Sequence, residues 1–248
     1  MLEEMQIGEF RSASQVRSHR YRKGFCSPSS YCSLCPLCWL VGLGVVVRIA
    51  VLSVVFGFLF SGAAFTEQAH AEDDWKAVET IKPYAISGRT GPQLYESIGE
   101  RGPKAGNSRV IAHTTFVLTW DRKFDNSNNG CTIVSAKPKL KITYTLPKPS
   151  QKLSSPVKEN WERFYDGIYK HELVHGDTAK DMTREIVRTT VGLSIPNDPK
   201  CQKMRRELIN RINALVAVQR QQGRDFDRVE MGSGGNVEQL ILALVNGG

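Results

Sequence analysis

Apolar and polar residues alternate with a period of two over two nearby stretches, residues 113–120 and 131–146. This is the pattern of β-strands that bury one face, because successive side chains point to opposite sides of a sheet. The polar sequence DNSNNG at 125–130 separates the two stretches and is typical of a turn, so the pattern predicts a β-hairpin. Pro138 and the outward-pointing lysines predict that the second strand is a sheet edge or carries a bulge.

Helices are predicted on both sides of the hairpin, and one more strand is predicted before it. Upstream, a strand is predicted at Thr80–Ile86 and a short helix at Gly91–Glu100. Downstream, a long helix begins at Ser155 and Pro156, since a serine cap followed by proline at the first helical position is a common start. Gly192 and the proline after it are expected to end that helix.

A second long helix is predicted from Asp198-Pro199 to about Gln222, where Gly223 is expected to terminate it. The rest, 223–248, is interpreted as a C-terminal tail with an acidic loop, a glycine-rich link and an apolar end. The fold class expected is therefore α+β, with a small, mainly antiparallel sheet packed on two long helices.

The sequence HELVH, residues 171–175, lies on the first long helix. Residues four apart share one face of a helix, so His171 and His175 project together, along the same stripe as the apolar residues. This is the HExxH zinc motif, in which two imidazoles bind one ion and the glutamate between them, Glu172, acts as general base on a water molecule. Buried histidines without a metal would each need their own hydrogen-bond partner.

A catalytic zinc ion normally has three protein ligands, and only two are visible in the motif. Asp181 lies six residues after His175, the spacing of the third ligand in metzincins, but the glycine of that pattern is displaced. Glu207 on the next helix and Glu230 in the tail are the other candidates. The sequence leaves these three alternatives open.

Residues 1–71 are interpreted as an N-terminal extension and signal peptide. The apolar run at 49–60 follows Arg48, and the A-x-A pattern ending at Ala71 predicts cleavage after that residue. An uncleaved membrane anchor is the alternative. Because residues 1–44 are unusually long and polar for the start of a signal peptide, translation is expected to begin near Val45, with that segment not made.

Two cysteines, Cys131 and Cys201, lie beyond the predicted cleavage site, and an even pair in an exported chain predicts one disulfide. From residue 72 onward the chain has 27 basic and 21 acidic residues, which suits a protein that meets anionic surfaces. Basic residues are scattered without aromatic residues between them, so nucleic-acid binding is not expected.

HELVHGD after a W-x-x-F-Y helix start, together with the upstream element from Tyr144 to Pro147, resembles a bacterial family described as secreted zinc-dependent proteases, formally of unknown function. The similarity spans roughly Tyr84 to Gly232. It implies a zincin-like single domain, taken here as 72–222, with metal binding at the two histidines and a base at Glu172. The family's tail has a Tyr-Asp pattern followed by histidine and glycine; Phe226-Asp227 and Gly232 fit it loosely, and the histidine is absent.

The expected function is that of a zinc metalloprotease, periplasmic or secreted, which hydrolyses peptide bonds in proteins or in cell-wall peptides. Two alternatives stay open. One is a zinc hydrolase that cleaves amide bonds of the cell wall, and the other is an inactive envelope scaffold that keeps the helix. Contact with a membrane is expected only through the signal peptide or an uncleaved anchor.

Overall fold

The structure is a computed structural model that describes residues 75–247. The predicted signal peptide, its cleavage site after Ala71, the alternative start near Val45 and the membrane anchor all lie outside the described residues. Within residues 75–247, every helix is too short or too polar to cross a lipid bilayer. The described part is a mixed α+β domain with four helices, one main sheet and a short two-stranded ribbon.

The main sheet has the strand order β1-β5-β4, with a short strand β6 beside β5. The strands of this sheet have the following bounds: β1 Val78–Ile86, β4 His113–Asp125, β5 Gly130–Pro149 and β6 Ser194–Pro196. The small ribbon consists of β2 (Lys104–Ala105) and β3 (Ser108–Arg109). β4 and β5 form the predicted antiparallel hairpin, β6 is also antiparallel to β5, and β1 pairs with β5 in parallel.

The prediction that the second hairpin strand forms a sheet edge is wrong, because β5 lies between β4 and β1. On the side of β5 opposite to β4, β6 pairs with residues 130–132 and β1 pairs with residues 141–149. Pro138 lies between these two paired segments, where a residue without an N–H group removes no bond to β1 or β6. The alternative prediction, a bulge in this strand, is confirmed: Lys123 is opposite Ser135 and Phe124 is opposite Ile133, so Val134 is an extra residue on β5.

Four helices complete the domain: α1 Gly91–Arg101, α2 Ser155–Thr190, α3 Gln202–Glu230 and α4 Asn236–Asn246. The inward side chains of the sheet pack against α2 in one core, which includes Phe116, Leu118, Leu140 and Ile142 from the strands. The predicted apolar stripe of α2 is confirmed, since Phe164, Ile168, Met182 and Ile186 are all buried. This stripe carries the two motif histidines inward.

α3 is longer than predicted. It continues through Gly223, which is buried within the helix, and ends at Glu230 instead of Gln222. The buried positions Leu208, Ile212, Val216, Gln219 and Gly223 follow one another at intervals of three or four residues. The packing of this stripe therefore outweighs the helix-breaking tendency of a single glycine.

The segment 223–248 is not a separate tail within the described residues. α4 contributes Val237 and Leu244 to the main core. Its backbone comes so close to α1 that a Cβ atom on Gly91 would lie 1.7 Å from the carbonyl oxygen of Leu244. The domain boundary predicted at residue 222 is therefore wrong, and the domain extends through α4.

The predicted disulfide between Cys131 and Cys201 is confirmed, and it joins the start of β5 to the residue before α3. Asp198 caps α3 as expected, because its carboxylate accepts the backbone N–H groups of Gln202 and Met204. Burial alone would raise the pKa of Asp198, but these backbone bonds hold it below its ordinary value. The cap and the disulfide together position the beginning of α3 against the sheet.

Candidate metal site

His171 and His175 lie one turn apart on the buried face of α2, each with about 2 % of its surface exposed. Their imidazole rings meet at a steep angle of 75°, and the two Nε2 atoms face each other at 3.2 Å. The spacing of four residues places both rings on one side of the helix, as the sequence predicted. Two of the three groups that a metal site requires are therefore adjacent.

The third group is Asp227, which comes from α3. Its Oδ1 atom lies 2.9 Å from Nε2 of His175 and 3.2 Å from Nε2 of His171. Two imidazole nitrogens and one carboxylate oxygen thus form a small triangle, and their side chains make up a cluster that could hold a metal ion. The extension of α3 beyond Gln222 is what brings this carboxylate to the motif.

The size and chemistry of the triangle fit a single zinc ion. Ligand atoms at 2.0–2.1 Å from a tetrahedral zinc lie about 3.3 Å from one another, close to the 2.9–3.2 Å separations found here. Two histidines and a carboxylate are also a ligand set found in catalytic zinc sites. Without a cation, atoms that face one another so closely need a shared proton between them.

The charge of Asp227 depends on the same neighbours. Its burial would raise the pKa of the carboxyl group, but hydrogen bonds and electrostatic attraction from His171 and His175 lower that pKa far below its ordinary value. The carboxylate is therefore ionised in this arrangement, which is the form that binds a metal ion.

Glu172 is buried beside the histidines, with 1 % of its surface exposed. Its Oε2 atom accepts a hydrogen bond of 2.5 Å from the hydroxyl of Thr114, an inward-facing residue near the start of β4. The same hydroxyl lies 3.2 Å from the backbone oxygen of Glu172. The sheet therefore holds the carboxylate of Glu172 in one orientation.

Two side chains of α3 surround His171 on its other sides. The ring of Phe226 stacks on the His171 ring at 4.8 Å between centroids and meets the ring of His175 edge-on at 5.5 Å. An oxygen of Glu230 lies 3.9 Å from Nδ1 of His171, the nitrogen that faces away from the triangle. Phe226 shields the cluster from solvent, and Glu230 is placed to attract the outer N–H of the ring.

None of the three third-ligand candidates predicted from the sequence faces the triangle. Asp181 is exposed and pairs with Arg184 at 2.8 Å, and Glu207 pairs with Arg211 at 2.7 Å. Glu230 is near but approaches the other nitrogen of His171. Sequence reasoning missed Asp227 because it placed the end of the helix at Gln222.

The contact between Tyr144 of β5 and Gly176 of α2 sets the distance between this helix and the sheet. Gly176 directly follows His175 in the sequence. A Cβ atom on Gly176 would lie only 2.0 Å from the hydroxyl oxygen of Tyr144, so only glycine leaves room for this ring. The hydroxyl donates to Glu79 of β1 at 2.6 Å, and Glu79 pairs with Lys180 of α2 at 2.8 Å. These contacts tie β1, β5 and α2 together behind the site.

The described fold and site thus define an α+β domain with a buried cluster of two histidines and one aspartate. Residues 81–235 match the model of a bacterial protein family of unknown function, DUF922, and the chain belongs to that family. The match agrees with the range over which the sequence resembled a known family. No curated protein and no solved structure matches the chain.

Proposed function

We propose that the protein is a zinc-dependent peptidase of the bacterial cell envelope, with a zincin-like arrangement of helix and sheet. The observation that carries this proposal is the convergence of His171, His175 and Asp227 on a triangle of zinc-ligand size beside Glu172. A lone HExxH sequence is weaker support, because it provides two ligands only. The third ligand comes from an independent helix.

In the proposed reaction His171, His175 and Asp227 hold the metal, and a zinc ion there supplies Lewis-acid chemistry that polarises a carbonyl group and makes water more acidic. Glu172 acts as general base and then returns the proton to the leaving amine. Thr114 keeps the Glu172 carboxylate in place by donating to Oε2. Phe226 limits the access of bulk solvent to the histidines.

The proposed substrate is an extended peptide, either of a protein or of the cell wall. Among residues 75–247, β4 pairs with β5 on one side only, and it carries Thr114, which is hydrogen-bonded to the proposed general base. Peptides commonly add to such edges through backbone hydrogen bonds. A cell-wall amide hydrolase would use the same residues on a different amide bond.

A second candidate function, an inactive envelope scaffold with a structural metal, is favoured by one observation. Glu172, His171 and His175 are almost fully buried. Catalytic zinc sites keep one position open to water and substrate, whereas structural sites are closed. A peptidase would need Phe226 and the end of α3 to move aside when substrate binds.

The Glu172→Gln variant separates these functions. For a peptidase, the variant keeps stoichiometric zinc and loses hydrolysis of a peptide library or of purified peptidoglycan, because the amide cannot accept the proton. Comparison of the two substrates assigns the wild-type enzyme to one of the two hydrolase classes. If the zinc-loaded wild type cleaves neither substrate at a rate above that of Glu172→Gln, the scaffold function is correct.

A further inference from the structure

Five exposed lysines lie on the side of the sheet that faces away from α2. The register of the strands places them on this one side, which we term the lysine face: Lys82 of β1, Lys123 of β4, and Lys137, Lys139 and Lys141 of β5. The acidic side chain nearest to them in the register is Asp121, which is opposite Lys137. Asp125, two positions after Lys123 on β4, lies on the same side, so the lysine face combines five positive charges with two negative charges.

The helical surface of the same domain is organised differently. Six of its basic residues are paired with acidic neighbours one turn away: Lys158 with Glu162, Lys170 with Asp166, Arg184 with Asp181, Arg188 with Glu185, Arg211 with Glu207, and Arg228 with Asp225. By contrast, the ion pairs found among residues 75–247 include none of the five lysines of the lysine face. α3 also has exposed basic residues outside these pairs, such as Lys203 and Arg206, but the lysine face is the part of the sheet where such charges are adjacent.

This arrangement is electrostatically unfavourable in the isolated protein. Lys137, Lys139 and Lys141 follow one another on the same side of one strand, about 7 Å apart. Like charges on one face of a sheet repel each other. Lysines often protect an unpaired strand edge from aggregation, which accounts for Lys137 and Lys139, since they lie between the segments of β5 that pair with β6 and β1. It does not account for Lys141, which is opposite Val78 of β1. An anionic partner would remove the repulsion.

The neighbouring side chains favour one class of anionic partner. Val78 and Val117 flank Lys141 in a row across the three strands, and they are 59 % and 46 % exposed. Threonines occupy most of the remaining outward positions, such as Thr80, Thr119 and Thr143. The face lacks the aromatic rings on which nucleic-acid bases stack, whereas exposed aliphatic residues between lysines suit the boundary between lipid headgroups and acyl chains.

We propose that the lysine face docks the domain onto an anionic lipid bilayer, with the ammonium groups against the phosphate headgroups and the two valines at the interface. This orientation directs α2, and with it the histidine cluster, away from the lipid, because α2 packs on the opposite side of the sheet. The inference does not depend on whether the protein is an enzyme.

Vesicle co-sedimentation of protein expressed from the full sequence tests the proposal. The vesicles contain phosphatidylcholine alone or with about one third phosphatidylglycerol, and the neutral vesicles give the baseline for any apolar anchor. In the sheet variant, Lys137, Lys139 and Lys141 are replaced together by Gln. The matched control, the helix variant, replaces Lys158, Lys170 and Lys203 by Gln, which removes the same charge from α2 and α3.

The wild type and the helix variant should bind the anionic vesicles more tightly than the neutral ones, and salt should weaken this binding. The sheet variant should lose roughly a hundredfold in partitioning, since each lysine near an anionic surface contributes about a factor of five. Equal losses in the two variants would show a net-charge effect and overturn the proposal. Absence of any preference for anionic vesicles, or sheet-dependent binding only to a soluble polyanion such as heparin, would also overturn it.

Discussion

The hydroxyl of Thr114 lies 2.5 Å from a carboxylate oxygen of Glu172, which is 58 positions further along the chain. Thr114 belongs to β4 and Glu172 to α2, so one hydrogen bond connects the sheet to the residue proposed as general base. Both residues are almost completely buried. A charged carboxylate in such a place needs a donor, and the threonine supplies it.

We expect Thr114→Val to reduce kcat/KM by roughly tenfold to a hundredfold, the range found when a group that orients a site residue is lost. Valine has nearly the same shape as threonine but cannot donate a hydrogen bond. Thr114→Ser keeps the hydroxyl and should retain most of the activity. Zinc content should be the same in all three proteins, because the hydrogen bonds described for the Thr114 hydroxyl go to Glu172 and not to His171 or His175. Equal activity of the valine and serine variants would contradict the role of the hydroxyl.

Asp227→Asn should lower the affinity for zinc by roughly a hundredfold or more, because a neutral amide oxygen replaces a charged ligand. Titration with a competing zinc chelator measures this affinity. Asp225→Asn is the matched control, since Asp225 is on the same turn of α3 but pairs with Arg228 at 2.6 Å instead of facing the histidines. An unchanged zinc affinity in Asp227→Asn would exclude Asp227 as a ligand.

Gly176→Ala should destabilise the protein by about 1–3 kcal/mol, the usual cost of an overpacked contact. On an ordinary helix surface the same change stabilises by up to about 1 kcal/mol, so the sign itself is informative. The added methyl group would clash first with the hydroxyl of Tyr144. In a Tyr144→Phe background the cost should therefore be smaller, as measured by urea unfolding of the four proteins. An equal cost in both backgrounds would disprove the contact.

The acid stability of the domain should depend on Glu79. Its partial burial would raise the pKa, but hydrogen bonds from Lys180 and Tyr144 outweigh burial and lower the pKa below the model-compound value of 4.5. A carboxyl group whose pKa is lowered on folding stabilises the folded state above its unfolded pKa, and this contribution is lost as the pH falls through the folded pKa.

Glu79→Gln should consequently be less stable than the wild type at about pH 6, and the difference should shrink by about pH 3. Urea unfolding at the two pH values provides the free energies. Tyr144→Phe removes one of the bonds to Glu79 and should weaken the same pH dependence. A difference between wild type and Glu79→Gln that stays constant from pH 6 to pH 3 would rule out this linkage.

Local patterns were sufficient to predict the hairpin, the first long helix and the inward direction of His171 and His175. Each depends on a periodicity of two or 3.6 residues and on nearby turn or cap residues, which are properties of short stretches. The disulfide between Cys131 and Cys201 was predictable because only two cysteines follow the predicted cleavage site. In these cases a few neighbouring residues, or a simple count, decide the outcome.

The central position of β5 and the role of Asp227 depend on contacts between distant segments. β1 lies parallel to β5 and begins more than fifty positions before it, so no turn signal records the pairing. Gly223 looks like a helix terminator by itself, but it continues the buried stripe of α3 through Val216 and Gln219. Asp227 follows at the next interval of four. Extending that stripe across the glycine would have predicted an inward carboxylate.

Zinc K-edge X-ray absorption of the zinc-loaded protein tests the central claim most directly, because it reports the atoms bound to the metal. The site described here predicts one zinc ion per chain, with two imidazole nitrogens and at least one carboxylate oxygen at about 2.0–2.1 Å. The imidazole signal should fall to that of one ring in His175→Ala. A protein that takes up no stoichiometric zinc, or a spectrum without imidazole scattering, would contradict the account.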